Sequence, residues 1–132
     1  MDIKSAKDRP ARAASKDHFT GAVQITPVIE AEAPARLRAA SVHFPAGART
    51  AWHTHPLGQT LLVTEGRGLA QSWGRQVRSL EVGDVVWFAP GEKHWHGAAP
   101  DSDMTHVAMQ EALDGKVADW MELVTDAEYG AG

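Results

Sequence analysis

His53 and His55 stand two residues apart in a strand-forming stretch, so their side chains project from one face of the chain. Gln59 opens the next apolar run just past the turn Pro56-Leu57-Gly58, which returns it to the same neighbourhood. His94 and His96 repeat the two-residue spacing after Pro90 and Gly91. In the alternating stretch 104–111, His106 shares a face with Met104, Ala108 and Gln110. One side of a small β structure thereby receives five imidazoles and two amides. Burying them without partners would cost on the order of a few kcal/mol each. A metal ion at their centre removes that cost, because imidazole nitrogen is the commonest protein ligand for mid-row divalent metals. Chance alternation on a surface accounts for one His-x-His pair. It accounts poorly for two pairs, each beside a Gly/Pro turn and joined by a further inward histidine. The other two histidines fall outside the cluster. His43 points away from the face of Ala40, Val42 and Phe44, and His18 sits close to the N-terminus.

The elements that must position these residues read as short strands. They are 22–29, 37–44, 50–55, 59–65, 68–73, 84–88, 94–98 and 104–111. Gly, Pro and Asp punctuate them at 45–47, 56–58, 65–68, 83–84, 89–91 and 100–101. Strands this short at regular spacing predict an all-β sandwich or barrel. Only 30–36 and the tail 118–129 tolerate helix, and Pro34 breaks the first. Residues 1–17, polar, Ala-rich and containing Pro10, are expected to form a flexible arm. No internal repeat suggests a tandem pair.

The bulk numbers agree with one small domain. The chain has 132 residues, 43% of them hydrophobic, enough to fill one core. A net charge of −4 from 13 basic and 17 acidic side chains makes nucleic acid an unsuitable partner, since phosphate neutralisation drives that affinity. The absence of cysteine excludes disulfides, thiolate metal sites and a cysteine nucleophile. Lys4, Lys7, Asp8 and Arg9 interrupt any secretory apolar stretch, and no run approaches the roughly 20 apolar residues that span a bilayer. A cytoplasmic protein with no membrane partner is the expectation.

The pattern Gly47-x5-His53-x-His55-x3-Gln59-x6-Gly66 resembles the first cupin motif in every interval. Gln59 stands where most metal-binding cupins carry glutamate. The run from Gly83 through Pro90, Gly91 and His94 resembles the second motif, with its proline displaced by one position and Ala98 where asparagine is common. The resemblance implies a small cupin barrel, a double-stranded β-helix of jelly-roll type, over residues 18–132 as a single domain with a short C-terminal tail. The stretches 47–60 and 84–100 are moreover similar to the bacterial cupin hydroxynitrile lyases, manganese-dependent enzymes that cleave or form cyanohydrins. That similarity extends to the tail around Asp119 and Trp120. It implies a metal held by His53, His55, Gln59 and His94, with manganese as the expected ion. Iron, nickel and zinc also accept such a set.

Three neutral imidazoles and a neutral amide would leave the ion its full +2 charge, which a carboxylate ligand would partly cancel. Such an ion is a stronger Lewis acid towards hydroxyl or carbonyl oxygen. In a lyase, His96 is the expected general base. His106 and Gln110 would hold or protonate the leaving cyanide, and Thr50 would add a hydroxyl contact. A hydrogen-bonded core pair is the competing role for His106 and Gln110. Ala40 and Val42 face the same cavity and leave space for an aryl or alkyl group. Trp52 and Trp95 alternate with the ligand histidines and point to the other side of their strands. Trp73 and Trp87 are expected at the second sheet face or a subunit contact, and Trp120 is expected to fasten the tail. Outward aromatics on so small a barrel predict a homodimer or homotetramer. Two other functions stay open: a metal-dependent cupin oxidoreductase or isomerase acting on a small hydroxy or keto compound, and a non-enzymatic small-molecule-binding cupin.

Overall fold

Alternating side chains make Leu37–Phe44 and Met104–Glu111 into strands, each with one apolar face to bury. In the computed structural model, which describes residues 1–131, they pair along their full length. Gly132, the last residue of the expected domain, lies outside the described residues.

In chain order the strands are β1 (Arg12–Ala13), β2 (Phe19–Thr20), β3 (Gln24–Glu30), β4 (Leu37–Phe44), β5 (Arg49–Thr50) and β6 (His53–Thr54). They continue with β7 (Gln59–Ser72), β8 (Arg78–Glu81), β9 (Val85–Phe88), β10 (His94–Ala98), β11 (Met104–Glu111) and β12 (Asp119–Trp120). A 3-10 turn, Ala6–Asp8, precedes them and a single short helix, α1 (Asp126–Tyr129), follows. One antiparallel sheet runs β1-β3-β4-β11-β7-β10-β5-β2 and curls on itself. β8 and β9 join it on β7, and β6 links β10 to β12. Among the described residues no helix is long and apolar enough to cross a membrane.

The expected strands 59–65 and 68–73 are one strand. Gly66, at φ +71°, bends β7 instead of ending it, and the register with β11 slips there so that Thr64 has no direct partner. The first half of β7 therefore pairs with β9 and β11, and the second half with β8 and β10. Conversely, the expected strand 50–55 is two short ones. At Trp52 the main chain leaves the sheet and exchanges hydrogen bonds with the C-terminal segment, through Glu122 O (2.9 Å) and Met121 N (2.8 Å). In the arm expected to be loose, β1 pairs with β3, and Arg9 Nη1 donates to Pro27 O (2.8 Å).

Inside the curl, Val42, Phe44, Leu61, Val63, Phe88 and Met104 anchor the main core. Trp52 and Trp95 do point the other way. Their cover is the chain's own C-terminal segment, Val124 and Tyr129. Trp73 and Trp87 stay 55% and 59% exposed.

Candidate metal and catalytic centre

Three strands and one turn bring the five histidines together. His53 in β6 pairs directly with His94 in β10, and His55 follows β6 in the turn that leads to Gln59. His96, two residues on in β10, meets His106 of β11 across the barrel, with ring centroids 4.7 Å apart. None of the five is more than 4% exposed. The imidazole nitrogens of His53, His94 and His96 all lie within 4.8 Å of one another. His55 joins through its ring, 4.9 Å from that of His53 and 5.4 Å from that of His94.

The hydrogen bonds sort these rings into two kinds. His53 Nδ1 lies 2.8 Å from Ala51 O, His55 Nδ1 2.7 Å from Val117 O, and His94 Nδ1 2.8 Å from Glu92 O. A carbonyl only accepts, so each of these Nδ1 atoms carries the proton, and each Nε2 is left as a lone pair. His96 differs, because its Nδ1 meets His106 Nε2 at 2.9 Å. Either imidazole can donate in that pair, so His96 Nε2 is free to be donor or acceptor. All five rings titrate below the ordinary histidine value. Burial is the main cause throughout, and it pulls His94 and His106 down to about 4.

Gln59 and Gln110 form a chain of amides. Gln110 Nε2 donates to Arg38 O (3.2 Å), and Gln59 Nε2 donates to Gln110 Oε1 (3.0 Å). Gln59 Oε1 is then buried without a partner, as are Nε2 of His55, His94 and His96 and Nδ1 of His106. Thr50 Oγ1 accepts from the main-chain N of His96 (3.2 Å), so this hydroxyl fastens β5 to β10. Of the expected ligands, His55, His94 and Gln59 thus present buried acceptor atoms that the protein leaves unsatisfied, and His53 adds an Nε2 lone pair beside them. Three imidazole lone pairs and a carbonyl-type oxygen suit a divalent transition metal.

Aromatic rings that sequence reasoning missed surround the cluster. Phe88 stacks on His94, with centroids 3.6 Å apart and planes 13° apart. Trp120 lies 4.5 Å from His53. His18, placed outside the cluster by its position in the chain, stacks on Trp120 at 4.5 Å. No local pattern in the sequence announces the contacts of Trp120, which join segments far apart in the chain, and Phe88 reaches His94 across the turn at Pro90 and Gly91. A cavity of about 800 Å³ opens nearby, lined by Ala70, Leu80, Val86 and Phe88 inside and by Arg78 at the mouth. Phe88, which stacks on His94, stands between this cavity and the centre, and none of the five histidines lines it. Val42 and Ala40 pair with His106 and Ala108 and pack at the main core, so they flank His106 and not this cavity. His43 does point outwards, towards Thr105 Oγ1 at 2.8 Å.

Residues 40–109 match the family described as a cupin domain. The chain is a cupin. This cupin is 58% identical over 129 residues, 98% of each chain, to the (R)-mandelonitrile lyase of Granulicella tundricola. It is 38% identical to a cupin-like protein from Thermotoga maritima, whose crystal structure matches with a TM-score of 0.86 over 98% of this chain and 95% of that one. The polyketide cyclase RemF of Streptomyces resistomycificus, 14% identical, shares the fold at a TM-score of 0.74 over 98% of this cupin and 90% of its own chain.

Proposed function

We propose that this cupin is a metal-dependent hydroxynitrile lyase, which splits a cyanohydrin into an aldehyde and hydrogen cyanide or joins them in reverse. The observation that carries the reading is the set of forced, unsatisfied acceptors at His55, His94 and Gln59 in a chain 58% identical to a mandelonitrile lyase. His53, His55 and His94 would hold the ion through Nε2 and Gln59 through Oε1. A bound divalent ion, manganese in this proposal, supplies Lewis acidity towards the cyanohydrin oxygen.

The protein's own residues move the proton. With His96 Nδ1–H donating to His106 Nε2, His96 Nε2 is a lone pair that takes the hydroxyl proton. The carbon–carbon bond then breaks as the carbonyl forms, and cyanide leaves with the bonding pair. His96 returns the proton to cyanide, which yields hydrogen cyanide and a neutral ring. In this tautomer His106 Nδ1 bears a hydrogen without a protein partner and serves as the donor that holds cyanide. Thr50 acts by fixing the main chain of His96. The proposal extends to the cytoplasm as compartment. It extends also to a homodimer or homotetramer, supported by exposed Val82, Val85, Trp73 and Trp87.

Metal analysis and mandelonitrile cleavage, measured on one preparation, test the reading. The purified protein is expected to carry one divalent ion and to release benzaldehyde, and His53→Ala and His94→Ala to lose both. Full metal occupancy in both variants, or a loaded wild type that leaves mandelonitrile intact, overturns it.

A further inference from the structure

We infer that Gln110 is a positioning residue: it decides which end of the Gln59 amide faces the histidines, and the main-chain carbonyl of Arg38 fixes the direction of the whole chain. The inference rests on the proposed metal reading and assigns Gln110 a place in it other than contact with substrate.

The argument is one of polarity. Each imidazole meant to ligate is oriented by a main-chain carbonyl, at Ala51, Val117 or Glu92. Gln59 reaches no such carbonyl. Its anchor is another side-chain amide, and an amide can turn over with almost no change of shape. Turned over, Gln59 would offer the histidines an NH2 group, which repels a cation. What forbids this lies two bonds away. Arg38 sits opposite Gln110 in the β4–β11 register, and its carbonyl can only accept. Gln110 must therefore give it Nε2, at 3.2 Å, and so turn Oε1 towards Gln59. Gln59 in turn must give Nε2 to that oxygen, at 3.0 Å, and its own Oε1 is left buried and unpaired on the ligand side. Both polar atoms of Gln110 are engaged in this relay.

A carboxylate at position 59 would need no such direction, because its two oxygens are equivalent. It would even meet Gln110 Oε1 unfavourably. The role of Gln110 is thus tied to the amide at 59, and that dependence is what distinguishes positioning from core filling.

The test is the affinity of the chelator-stripped full chain for Mn²⁺ alone, followed by electron paramagnetic resonance of the free ion. Wild type, Gln110→Leu, Gln59→Glu and the double variant are compared, with the melting temperature of each metal-free protein alongside. Gln110→Leu should weaken Mn²⁺ binding about 10-fold to 100-fold, the usual weight of a group that orients a metal ligand. In the Gln59→Glu background the same change should cost less than about twofold, since the carboxylate has no wrong face. An equal loss in both backgrounds, or none in the wild type, overturns the positioning role while the metal reading stands. If neither wild type nor Gln59→Glu binds Mn²⁺, the metal reading itself falls, and this inference with it. Should Gln110→Leu fail to fold, Gln110→Met removes the same two polar atoms from an unbranched side chain and is read identically.

Discussion

Five buried imidazoles share one interior, yet only three have their proton placed by the main chain. That difference divides holding a metal from moving a proton. A ring whose Nδ1 faces a carbonyl is a permanent acceptor at Nε2, whereas His96, paired to His106, can change its tautomer. His96→Ala should accordingly keep the metal and lose roughly 10²–10⁴-fold in cleavage rate, the ordinary weight of a positioned base. Because His96 also lies in the close triple with His53 and His94, metal content must be measured on the same sample. A parallel loss of metal would make it a fifth ligand, and undiminished cleavage would transfer the proton to His106. Gln59→Glu is expected to bind the ion more tightly and to react more slowly, as the added charge blunts its Lewis acidity; an unchanged rate would leave the neutral ligand set without catalytic meaning. At this scale the sequence was highly legible, since alternation along a strand dictates which side chains share a face. The carbonyls of Ala51, Val117, Glu92 and Arg38 were not, because every residue carries one and only the fold selects among them.

Among the elements, β7 bears most on the site. Gln59 opens it, and its last turn of pairing sets Ala70 against His96 and Ser72 against His94. A single strand can serve both halves of the sheet because of Gly66. At φ +71° a Cβ there would lie 1.8 Å from Asp103 O, so no rotamer of any side chain relieves the conflict. Gly66→Ala should therefore destabilise the protein by more than the roughly 1–3 kcal/mol that left-handed strain alone costs. Chemical denaturation measures it, and a loss below about 1 kcal/mol would show that β7 bends without needing glycine. The residues 65–68 were read as a turn because Gly-x-Gly punctuates locally, and only pairing with β10 and β11 keeps the strand continuous. The tail was misread for the opposite reason. Asp119–Trp120 tolerates helix in isolation, but the free edge of β6 recruits it as β12, and helix is left to Asp126–Tyr129. β8 escaped notice because Arg78–Glu81 buries Leu80 alone.

For the whole molecule, the price of a dry cluster of bases is sensitivity to acid. In the unfolded chain each histidine titrates near 6.5, whereas in the fold His94 and His106 titrate near 4 and His53, His55 and His96 also lie lower. The folded form thus binds fewer protons between these values, and stability falls as pH falls. The contribution is fully present above about pH 6.5 and is lost progressively towards pH 4, on the order of 3 kcal/mol for one such group. The metal-free protein should begin to lose melting temperature below pH 6.5, well above the range where carboxylates protonate. Added Mn²⁺ should raise the melting temperature by a similar amount from neutral pH to about pH 5 and by less towards pH 4, where His94 begins to take up a proton on the Nε2 that would hold the ion. Thermal melts across that range, with and without the ion, decide the matter. A metal-free melting temperature that stays flat from pH 7 to pH 5 would mean that water or protons reach the cluster in the folded state. A stabilisation by Mn²⁺ that is undiminished at pH 4 and below would mean that the ion binds somewhere other than these histidines.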